Sequence, residues 1–457
     1  MYSKILKNII YPIYQIKRPQ DERLISCLKL LNKTQWWGYS DLEKFQLKRL
    51  KLLLNHADKN VPYYHKIFKK LKFKPDELSN VNELKRVPIL TKEIIRNNFE
   101  DLYARNYLKD DLISCVTGGS TGTPMKFFIN KKSEACNMAA AYRAWSWAGY
   151  ELGDKMAYLW GAHQDLRDQK KYINKIRNYT LRIIKLNAFE LNQENMQYYL
   201  DILRKYKPKT INSFASAIFT LSQYMENREI EDIKPKAILT TADMLFNYRR
   251  KTIERVFGCE VFDYYSGRDT TLQAAECPEH TGYHLSIENA VVEFIKENEP
   301  IASGETGKII ITDLCNYAMP FIRYEIGDLG VPSDESCPCG RKLPIMKSLK
   351  GRILDTIVTP EGKILTGEFF PAIFADYHIK GIEEYQIIQK RKDELLIKLV
   401  KGKNFNDSDL DLYLNIIKKN VGNQMNIEVQ FVNKIEPTIS GKHRPVISEI
   451  QKSQLEI

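Results

Sequence analysis

Long apolar runs are missing from this 457-residue sequence, which has no stretch approaching 18 consecutive apolar residues. A membrane-spanning helix needs about 20 such residues, so the sequence predicts none. The N-terminal segment MYSKILKNIIYPIYQIKRPQ also lacks the continuous apolar centre and the cleavage site of a secretory signal peptide. We expect a helix that packs on the body of the protein. The alternative is a weak interfacial helix with Ile5, Ile9 and Ile10 on one face.

Cysteine and concentrated charge are also scarce. Eight cysteines in a long chain without a secretory signal are typical of a reducing cytoplasm. The net charge of +12 is a small excess of 69 basic over 57 acidic residues, and it is spread along the chain. Without a basic stripe or a recognisable module, the sequence does not favour nucleic-acid binding. An anionic substrate or the inner face of a membrane agrees equally well with this charge.

The chain does contain alternating strand and helix patterns. Residues 1–110 are predicted to be helical, with a break at the proline of KNVPYYHKIFKK. Over 111–350, short apolar runs such as KMAYLW, TINSFA and PKAILTTA alternate with helical patterns such as MQYYLDILRKY. This alternation predicts an α/β fold with a mainly parallel sheet. Strands follow closely after residue 285, and the tail from about residue 353 has the strand and helix signals of a small α+β domain, with a predicted hinge at 351–352 just before it.

The loop VTGGSTGTP, residues 116–124, is rich in glycine and hydroxyl groups and lies between two predicted strands. Its exposed backbone N–H groups and hydroxyls suit phosphate oxygens. The candidate phosphate-binding residues are Thr117, Ser120, Thr121, Gly122 and Thr123. No Gly-Lys-Ser/Thr follows at the spacing of a Walker A loop. Taken alone, such a loop is as often a flexible connection.

The loop resembles the phosphate loop of the adenylate-forming superfamily, which includes acyl- and aryl-CoA ligases. Five further segments resemble motifs of that superfamily in the correct order: TTADML (240–245), YYSGRD (264–269), RYEIGDLG (323–330), LKGRILD (349–355) and EPTISGKHR (436–444). On this ordered set the chain is identified as a member of the superfamily. The resemblance implies a large α/β N-terminal domain with mixed, mainly parallel sheets and a small mobile α+β C-terminal domain. In it, 1–110 and 111–350 belong to the large domain and 351–457 form the lid.

The resemblance also implies contacts with the nucleotide. The loop would hold the β- and γ-phosphates of ATP, and Asp243 lies in the segment that contacts adenine and the acyl pocket. An aromatic ring at Tyr264 or Tyr265 would stack on adenine, and Arg268 is an added cation beside it. Asp269 would reach the Mg²⁺ bound to ATP. Asp243 and Asp269 both stand where the family has glutamate.

The remaining motifs supply the ribose contact, the hinge and the catalytic lysine. By resemblance, Asp328 accepts hydrogen bonds from the ribose hydroxyls and Arg352 belongs to the hinge. Leu354 occupies the first acidic position of the hinge motif, so only Asp355 remains there. Lys442 corresponds to the catalytic lysine that stabilises charge between the carboxylate and the α-phosphate.

A cysteine-rich segment narrows the resemblance. RDTTLQAAECPEHTGYHLSIENAVVEF followed by CPCGRKLPIMKSLKGR resembles the phenylacetate-CoA ligase-like branch and its capsule-locus CapK-like proteins. Cys277, Cys337 and Cys339, together with His280 or His284, have the donor types of a closed structural Zn²⁺ site. The spacing leaves both histidines open. The alternative is a set of reduced surface cysteines.

The resemblance implies ATP-dependent activation of a small carboxylic acid to an acyl- or aryl-adenylate, with Mg²⁺ as cofactor. The acyl group would pass to CoA or to a sugar or glycan acceptor, in capsular or extracellular polysaccharide biosynthesis in the cytoplasm or at the inner face of the membrane. A catalytically degenerate scaffold protein is the alternative, suggested by Asp269 and Leu354. A glycosyltransferase is disfavoured because the Asp-x-Asp at 409–411 is better explained as a helix start.

Overall fold

The computed structural model describes most of the chain. The described residues are 20–108, 111–117, 125–160, 176, 178–188, 191, 193–352, 357–361, 363–365, 369–370, 373, 381–402, 405–436 and 444–450. Three positions in the N-terminal interfacial-helix hypothesis, Ile5, Ile9 and Ile10, lie outside them. Among the described residues, no helix has both the length and the apolar character required to cross a bilayer.

The N-terminal part of the chain is helical. Its helices are α1 (Gln20–Thr34), α2 (Tyr39–Asn60), α3 (Pro62–Leu71), α4 (Lys92–Asn97) and α5 (Phe99–Leu102). Two 3₁₀ segments, Pro75–Glu77 and Val81–Arg86, lie between α3 and α4. Pro62 separates α2 from α3 as predicted, because proline lacks the N–H needed to continue a helix but is accepted at the first helical position. The Thr91 hydroxyl caps α4 by accepting a hydrogen bond from the Ile94 backbone N–H at 3.2 Å.

A hairpin and a parallel α/β segment follow. The hairpin strands β1 (Ile113–Val116) and β2 (Lys126–Ile129) are antiparallel and lead into α6 (Lys131–Trp147). The next strands are β3 (Met156–Trp160), β4 (Ile183–Asn187), β5 (Thr210–Phe214), β6 (Ala237–Thr241) and β7 (Glu260–Ser266). The intervening helices are α7 (Gln193–Tyr206), α8 (Ala215–Glu226) and α9 (Asn247–Phe257). These five strands are parallel, as the alternation of strands and helices predicts.

From residue 273 onward the strands follow one another closely and pair antiparallel. They are β8 (Gln273–Ala275), β9 (Tyr283–Leu285), β10 (Ala290–Lys296), β11 (Glu299–Pro300), β12 (Gly307–Asp313), β13 (Tyr324–Ser333) and β14 (Ile345–Arg352). Within the described residues they join the parallel strands in one sheet of order β11-β10-β12-β13-β14-β9-β8-β7-β6-β5-β3-β4. The parallel and antiparallel halves meet at β7.

The C-terminal part has its own sheet and its own apolar cluster. It contains β15 (Ile357–Val358), β16 (Ile364–Leu365), β17 (Ile382–Arg391), β18 (Glu394–Lys401), α10 (Asp407–Val421), β19 (Asn426–Phe431) and β20 (Val446–Ser448). A mixed sheet has the order β19-β18-β17-β20 in the described part of the chain. Ile387, Ile397 and Tyr413 belong to a core cluster whose described members all lie between 357 and 446. The domain boundaries at 110 and 350 stay predictions.

The large sheet has apolar side chains on both faces. On β6, Leu239 belongs to a cluster that includes Leu50 of α2 and Ala139 of α6. The next residue back, Ile238, belongs to a second cluster with Ile218 of α8 and Ile253 of α9. Successive strand residues point to opposite faces, so the parallel strands are covered by helices on both sides. The carboxyl ends of such strands are the usual position of ligand sites in α/β folds.

Candidate functional site

The neck of the glycine-rich loop is closed by Thr117. Its backbone N–H donates to the Met125 carbonyl at 2.9 Å, and its Oγ1 accepts from the Met125 N–H at 3.0 Å. These two bonds extend the β1–β2 hairpin by one residue pair. Ser120, Thr121, Gly122 and Thr123 lie outside the described residues. Thr117 therefore fixes the base from which the predicted phosphate loop begins.

Asp243 caps helix α8. Its Oδ1 accepts from the Ala215 N–H at 2.7 Å and its Oδ2 from the Ser216 N–H at 2.9 Å. A carboxylate in this position satisfies backbone donors that have no partner within the helix and interacts favourably with the positive helix end. Arg249 approaches the same carboxylate, with 3.7 Å between Nη1 and Oδ2. Asp243 thus orients the start of α8 directly after β5.

The two tyrosines at the end of β7 have different partners. The Tyr264 hydroxyl donates to the Oδ1 of Asn212 on β5 at 3.1 Å, and burial raises the pKa of Tyr264 to about 12. The Tyr265 hydroxyl donates to the Oδ2 of Asp328 on β13 at 2.7 Å. Burial, followed by the charge of Asp328, raises the pKa of Tyr265 well above its ordinary value. Adjacent strand residues point to opposite faces, which explains the divergence.

Asp328 lies between two donors. In addition to Tyr265, Arg352 approaches it, with 3.4 Å between Nε and Oδ1. The pairing of β13 with β14 sets this contact, since Asp328 and Arg352 are register partners. Asp328 is 8% exposed, so the guanidinium and the phenol hold its carboxylate in one orientation at a mostly buried position. A carboxylate has about four lone-pair positions, so it can still accept further hydrogen bonds.

Asp269 is held in a similar way by Tyr324. The Tyr324 hydroxyl donates to Asp269 Oδ2 at 2.8 Å, and Asp269 is 9% exposed. The backbone at Gly267 lies close to this carboxylate. A Cβ at position 267 would be 2.8 Å from Asp269 Oδ1, so glycine leaves room for the carboxylate. Arg268 faces β1. Burial raises the pKa of the Cys115 thiol on β1, while the positive charge of Arg268 acts to lower it.

A second group of side chains has the donor set of a metal centre. One ligand atom from each of Cys277, His284, Cys337 and Cys339 lies within 4.8 Å of all the others. The Sγ atoms of Cys277 and Cys337 are 3.5 Å apart, and Cys339 Sγ is 3.4 Å from His284 Nε2. Zn–S and Zn–N bonds of about 2.3 and 2.0 Å in a tetrahedron require similar separations. Burial lowers the pKa of His284 to about 4, which keeps its imidazole neutral and able to bind a metal.

Strand pairing brings these four side chains together. His284 on β9 is the register partner of Ile345 on β14, so the turn before β14 lies beside the loop after β8. That turn is tight: the Gly340 N–H donates to the Cys337 carbonyl at 3.2 Å, and Gly340 has a φ of 84°. A left-handed backbone conformation of this kind favours glycine. The two loops therefore present three thiols and one imidazole to a common centre.

His280 lies outside this group. Its Nδ1 is 3.2 Å from Glu276 Oε2 and 3.4 Å from Arg250 Nη1. Arg250 also donates two hydrogen bonds to the Glu276 carboxylate, at 2.7 and 2.8 Å. Of the two histidines that the spacing left open, the structure brings His284 to the cysteines and places His280 in an ion-pair network.

Residues 357–449 match the CapK C-terminal domain family. The protein CapK of Staphylococcus aureus is 28% identical over 424 residues, which cover 90% of each chain. Phenylacetate-coenzyme A ligase of Thermus thermophilus is 21% identical over 371 residues, covering 78% of this chain and 79% of that enzyme. The chain is a homologue of CapK and of the phenylacetate-coenzyme A ligases.

Solved structures give the same fold. 2-Hydroxyisobutyryl-CoA ligase in its postadenylation state, in complex with R3-HIB-AMP, superposes with a TM-score of 0.69 at 19% identity, covering 92% of each chain. The same enzyme in its thioesterification state, with 2-HIB-AMP and CoA, gives 0.59 at 18% identity, covering 90% of this chain and 91% of that one. The large sheet-rich part and the smaller C-terminal part thus have the fold of adenylate-forming ligases.

Among the described residues of the candidate nucleotide motifs are two tyrosine–aspartate pairs, Tyr265–Asp328 and Tyr324–Asp269. Both pairs join β13 to the end of β7 and the loop after it, since Tyr324 and Asp328 both lie on β13. Tyr324 was not among the site residues predicted from the sequence. It is the first residue of the Tyr-x-x-Gly-Asp motif, so the motif itself contained the signal that could have identified it. Lys442, Leu354 and Asp355 lie outside the described residues.

Proposed function

We propose that this protein is an ATP-dependent, AMP-forming ligase that activates a small carboxylic acid and transfers its acyl group to an acceptor. The observation that carries the proposal is the pairing of Tyr265 with Asp328 and of Tyr324 with Asp269 in a homologue of CoA ligases. Tyrosine hydroxyls donate to both carboxylates, and both carboxylates are largely buried. Such preorganised polar groups are the main source of electrostatic catalysis.

The reaction has two steps. First, a carboxylate oxygen of the acid attacks the α-phosphorus of ATP, and the bond to the β-phosphate oxygen breaks, releasing pyrophosphate and leaving an acyl-adenylate. Second, an acceptor thiol, amine or hydroxyl attacks the acyl carbon, AMP leaves with the electron pair of the broken mixed-anhydride bond, and the acceptor proton is lost. A thiol acceptor, as in CoA, gives a thioester.

Asp328 would accept hydrogen bonds from the ribose hydroxyls. Two of its lone-pair positions face Tyr265 and Arg352, and the others remain for the ligand. Arg352 is the last residue of β14 and directly precedes residues 353–356, so it connects the ribose-binding carboxylate to the proposed hinge. Movement of the C-terminal part about this segment would be a hinge closure.

Asp269 would hold Mg²⁺ at the triphosphate, since carboxylate oxygens are the protein ligands that Mg²⁺ prefers. When bound, the ion neutralises phosphate charge. The chain's own contribution is the Tyr324 hydroxyl, which fixes one carboxylate oxygen and leaves Oδ1 of Asp269 for the ligand. Arg268, in the same loop, would add positive charge towards the β1–β2 hairpin and its phosphate loop.

The residues of the phosphate loop and Lys442 complete the proposal. Ser120, Thr121, Gly122 and Thr123 would bind the β- and γ-phosphates, and Lys442 would stabilise the charge that develops between the carboxylate and the α-phosphate. Asp243 would act indirectly, by orienting the start of α8 through its two backbone hydrogen bonds.

We also propose that Cys277, His284, Cys337 and Cys339 hold a structural Zn²⁺. Three thiolates and one imidazole fill all four positions of a tetrahedral shell, so no position remains for substrate. The ion would fasten the loop after β8 to the turn before β14. Both segments belong to the antiparallel half of the sheet that carries Asp328.

The biological setting we propose is capsular or extracellular polysaccharide synthesis, supported by the 28% identity to CapK over 90% of the chain. The acceptor would then be CoA or a sugar or glycan group, and the site of action the cytoplasm or the inner membrane surface. The net charge of +12 agrees with an anionic partner.

The test is ATP–pyrophosphate exchange over a panel of aryl, acyl and amino acids, with purified full-length protein and Mg²⁺. We expect exchange with a subset of carboxylates that have related shapes. Asp328→Asn should reduce the exchange, because the neutral amide is a weaker acceptor for the ribose hydroxyls. Absence of exchange with every acid, combined with intact ATP binding, would instead support the scaffold alternative.

A further inference from the structure

A second group of thiols lies apart from the proposed zinc ligands. Cys27 is on α1, Cys136 is on α6 and Cys315 follows β12. The Sγ atoms of Cys27 and Cys136 are 3.6 Å apart, although the residues are separated by 109 positions in the chain. Arg49 Nη2 donates to Cys315 Sγ at 3.1 Å. None of these residues belongs to a motif of the proposed ligase.

The two closest thiols face each other across a helix pair. Arg143, on the same helix as Cys136, donates to the Leu31 carbonyl of α1 at 3.1 Å and forms a fully buried ion pair with Glu288. The hydrogen bond to Leu31 joins α6 to α1, and the buried ion pair, which requires well-defined geometry, fixes the Arg143 side chain that donates it. Cys27 and Cys136 lie four and seven residues earlier on the same two helices, and their 3.6 Å separation shows that the helices are also close there.

The two thiols differ in exposure and acidity. Cys136 is 2% exposed, whereas Cys27 is only half-buried and can be reached from solvent. The hydrogen bond with Cys136 lowers the pKa of Cys27 below its ordinary value, and the charges of Arg49 and Lys132 act in the same direction. The same hydrogen bond raises the pKa of Cys136 to about 11. Cys27 is thus both the more accessible and the more acidic of the two thiols.

We propose that Cys27 and Cys136 form an oxidation site: a dithiol that peroxides convert reversibly into a disulfide between α1 and α6. The Cys27 thiolate attacks a peroxide oxygen, the O–O bond breaks, and the departing oxygen takes a proton, which gives a sulfenic acid and, from hydrogen peroxide, water. The Cys136 sulfur then attacks Cys27, the S–O bond breaks, and hydroxide leaves with the Cys136 proton as water. Two thiols lose two electrons and the peroxide gains them.

Solvent exposure favours this pair over the combination of Cys136 with Cys315, because Cys27 is half-buried and Cys315 is buried. A disulfide has an S–S distance of about 2.05 Å, so the present 3.6 Å gap must close by about 1.5 Å for the bond to form. Cys315 also forms a hydrogen bond with Cys136, so proximity to Cys136 alone does not separate it from Cys27. It is fully buried, its thiol accepts from Arg49, and its backbone N–H donates to Asp313 Oδ1 at 2.8 Å. Cys315 therefore adds to the electrostatic surroundings of the pair and stays outside the bond.

The sequence allows a direct test by peptide mapping. Trypsin places Cys27, Cys136 and Cys315 in separate peptides, 24–29, 133–143 and 309–323, each with one cysteine. The full-length protein is treated with hydrogen peroxide, free thiols are alkylated, and the denatured protein is digested without reduction. We expect peptide 24–29 linked to 133–143, and loss of this species after dithiothreitol. Cys259→Ser, which removes a distant thiol, should retain the link, and Cys27→Ser should abolish it.

Trapping of the intermediate provides a second measurement. In Cys136→Ser the sulfenic acid on Cys27 has no thiol to react with, so dimedone should label peptide 24–29 more strongly than in the wild type. The proposal would be overturned if the oxidised wild type contained no 24–29/133–143 link, or if Cys27 were linked to another cysteine. Dimedone labelling of the 309–323 peptide in place of 24–29 in Cys136→Ser would overturn the assignment of Cys27 as the reacting thiol.

Discussion

The Tyr324 hydroxyl donates a hydrogen bond to the Oδ2 atom of Asp269 across 2.8 Å, and both side chains are largely shielded from solvent. The two residues are 55 positions apart and belong to two different sequence motifs. The bond fixes the carboxylate that we propose for Mg²⁺ binding. It joins the loop after β7 to the strand that carries Asp328.

Tyr324→Phe is therefore expected to weaken the use of Mg²⁺ and ATP. A hydrogen bond to a charged group contributes about 1.5–3 kcal/mol, so we expect roughly a 10- to 100-fold loss in kcat/KM for ATP–pyrophosphate exchange. The Mg²⁺ concentration for half-maximal rate should rise as well. Tyr283→Phe is the matched control, because its hydroxyl also donates to a buried aspartate, Asp263, at 2.7 Å but outside the candidate nucleotide site. Equal effects of the two variants on Mg²⁺ dependence would contradict the role of Tyr324.

Lys442→Ala should abolish most adenylation while ATP still binds. Removal of one charge-stabilising donor from an active site costs about 10²–10³ in rate. The measurements are pyrophosphate exchange with the best acid and ATP affinity by calorimetry. Lys434→Ala is the control, because Lys434 is a solvent-exposed lysine 3.5 Å from Glu436 in the same part of the chain. Near-normal exchange by Lys442→Ala would rule out its catalytic role.

His284→Ala and His280→Ala should differ in metal content. The first variant removes one of four clustered ligands, whereas the second removes a side chain paired with Glu276. Metal analysis of purified protein should find about one zinc per chain in the wild type and in His280→Ala, and clearly less in His284→Ala. Chelation should also lower the Tm of the wild type. Wild-type protein with well under one zinc per chain, purified without chelator, would exclude the site.

The pH dependence of stability should depend on Asp263. Burial, followed by the charge of Glu276, raises the pKa of Asp263 to about 7, although hydrogen bonds from Thr240 and Tyr283 act in the opposite direction. A carboxyl whose pKa is higher in the folded than in the unfolded state binds more protons when folded. Its contribution to stability is therefore present at low pH and is lost as the pH rises from about 4 towards 7.

Asp263→Asn provides the measurement, since the amide cannot ionise. The Tm of the wild type minus that of Asp263→Asn should fall as the pH rises through this window and level off above about pH 7. Differential scanning fluorimetry from pH 5 to pH 9 compares the two proteins under identical conditions. A difference that stays constant, or that increases with pH, would contradict the raised pKa.

Much of the fold could be predicted from local pattern. The strands KMAYLW, TINSFA and PKAILTTA appear as β3, β5 and β6, and they are parallel because helices separate them in the chain. The strands that follow closely after 285 pair antiparallel, because short connections cannot provide a crossover. The motif order also anticipated homology to the phenylacetate-coenzyme A ligases.

Contacts between side chains that are far apart in the sequence could not be predicted from local pattern. The sequence left His280 and His284 as alternative ligands, and the pairing of β9 with β14 brought His284 to the cysteines. Asp243 stands in a nucleotide motif, yet both its oxygens cap a helix that begins 28 residues earlier. No local pattern encodes such a contact, because it depends on where two strands end in the same sheet.

The sequence by itself determined the strand and helix periods, the interruption at Pro62 and the chemical types available in each motif, since all of these depend on neighbours a few residues apart. The tertiary structure decided which of those groups meet: Tyr265 with Asp328, Tyr324 with Asp269, and Cys27 with Cys136. The physical reason is that each contact joins segments 55 to 109 residues apart. Their separation in space is set by sheet order, register and helix packing rather than by local sequence.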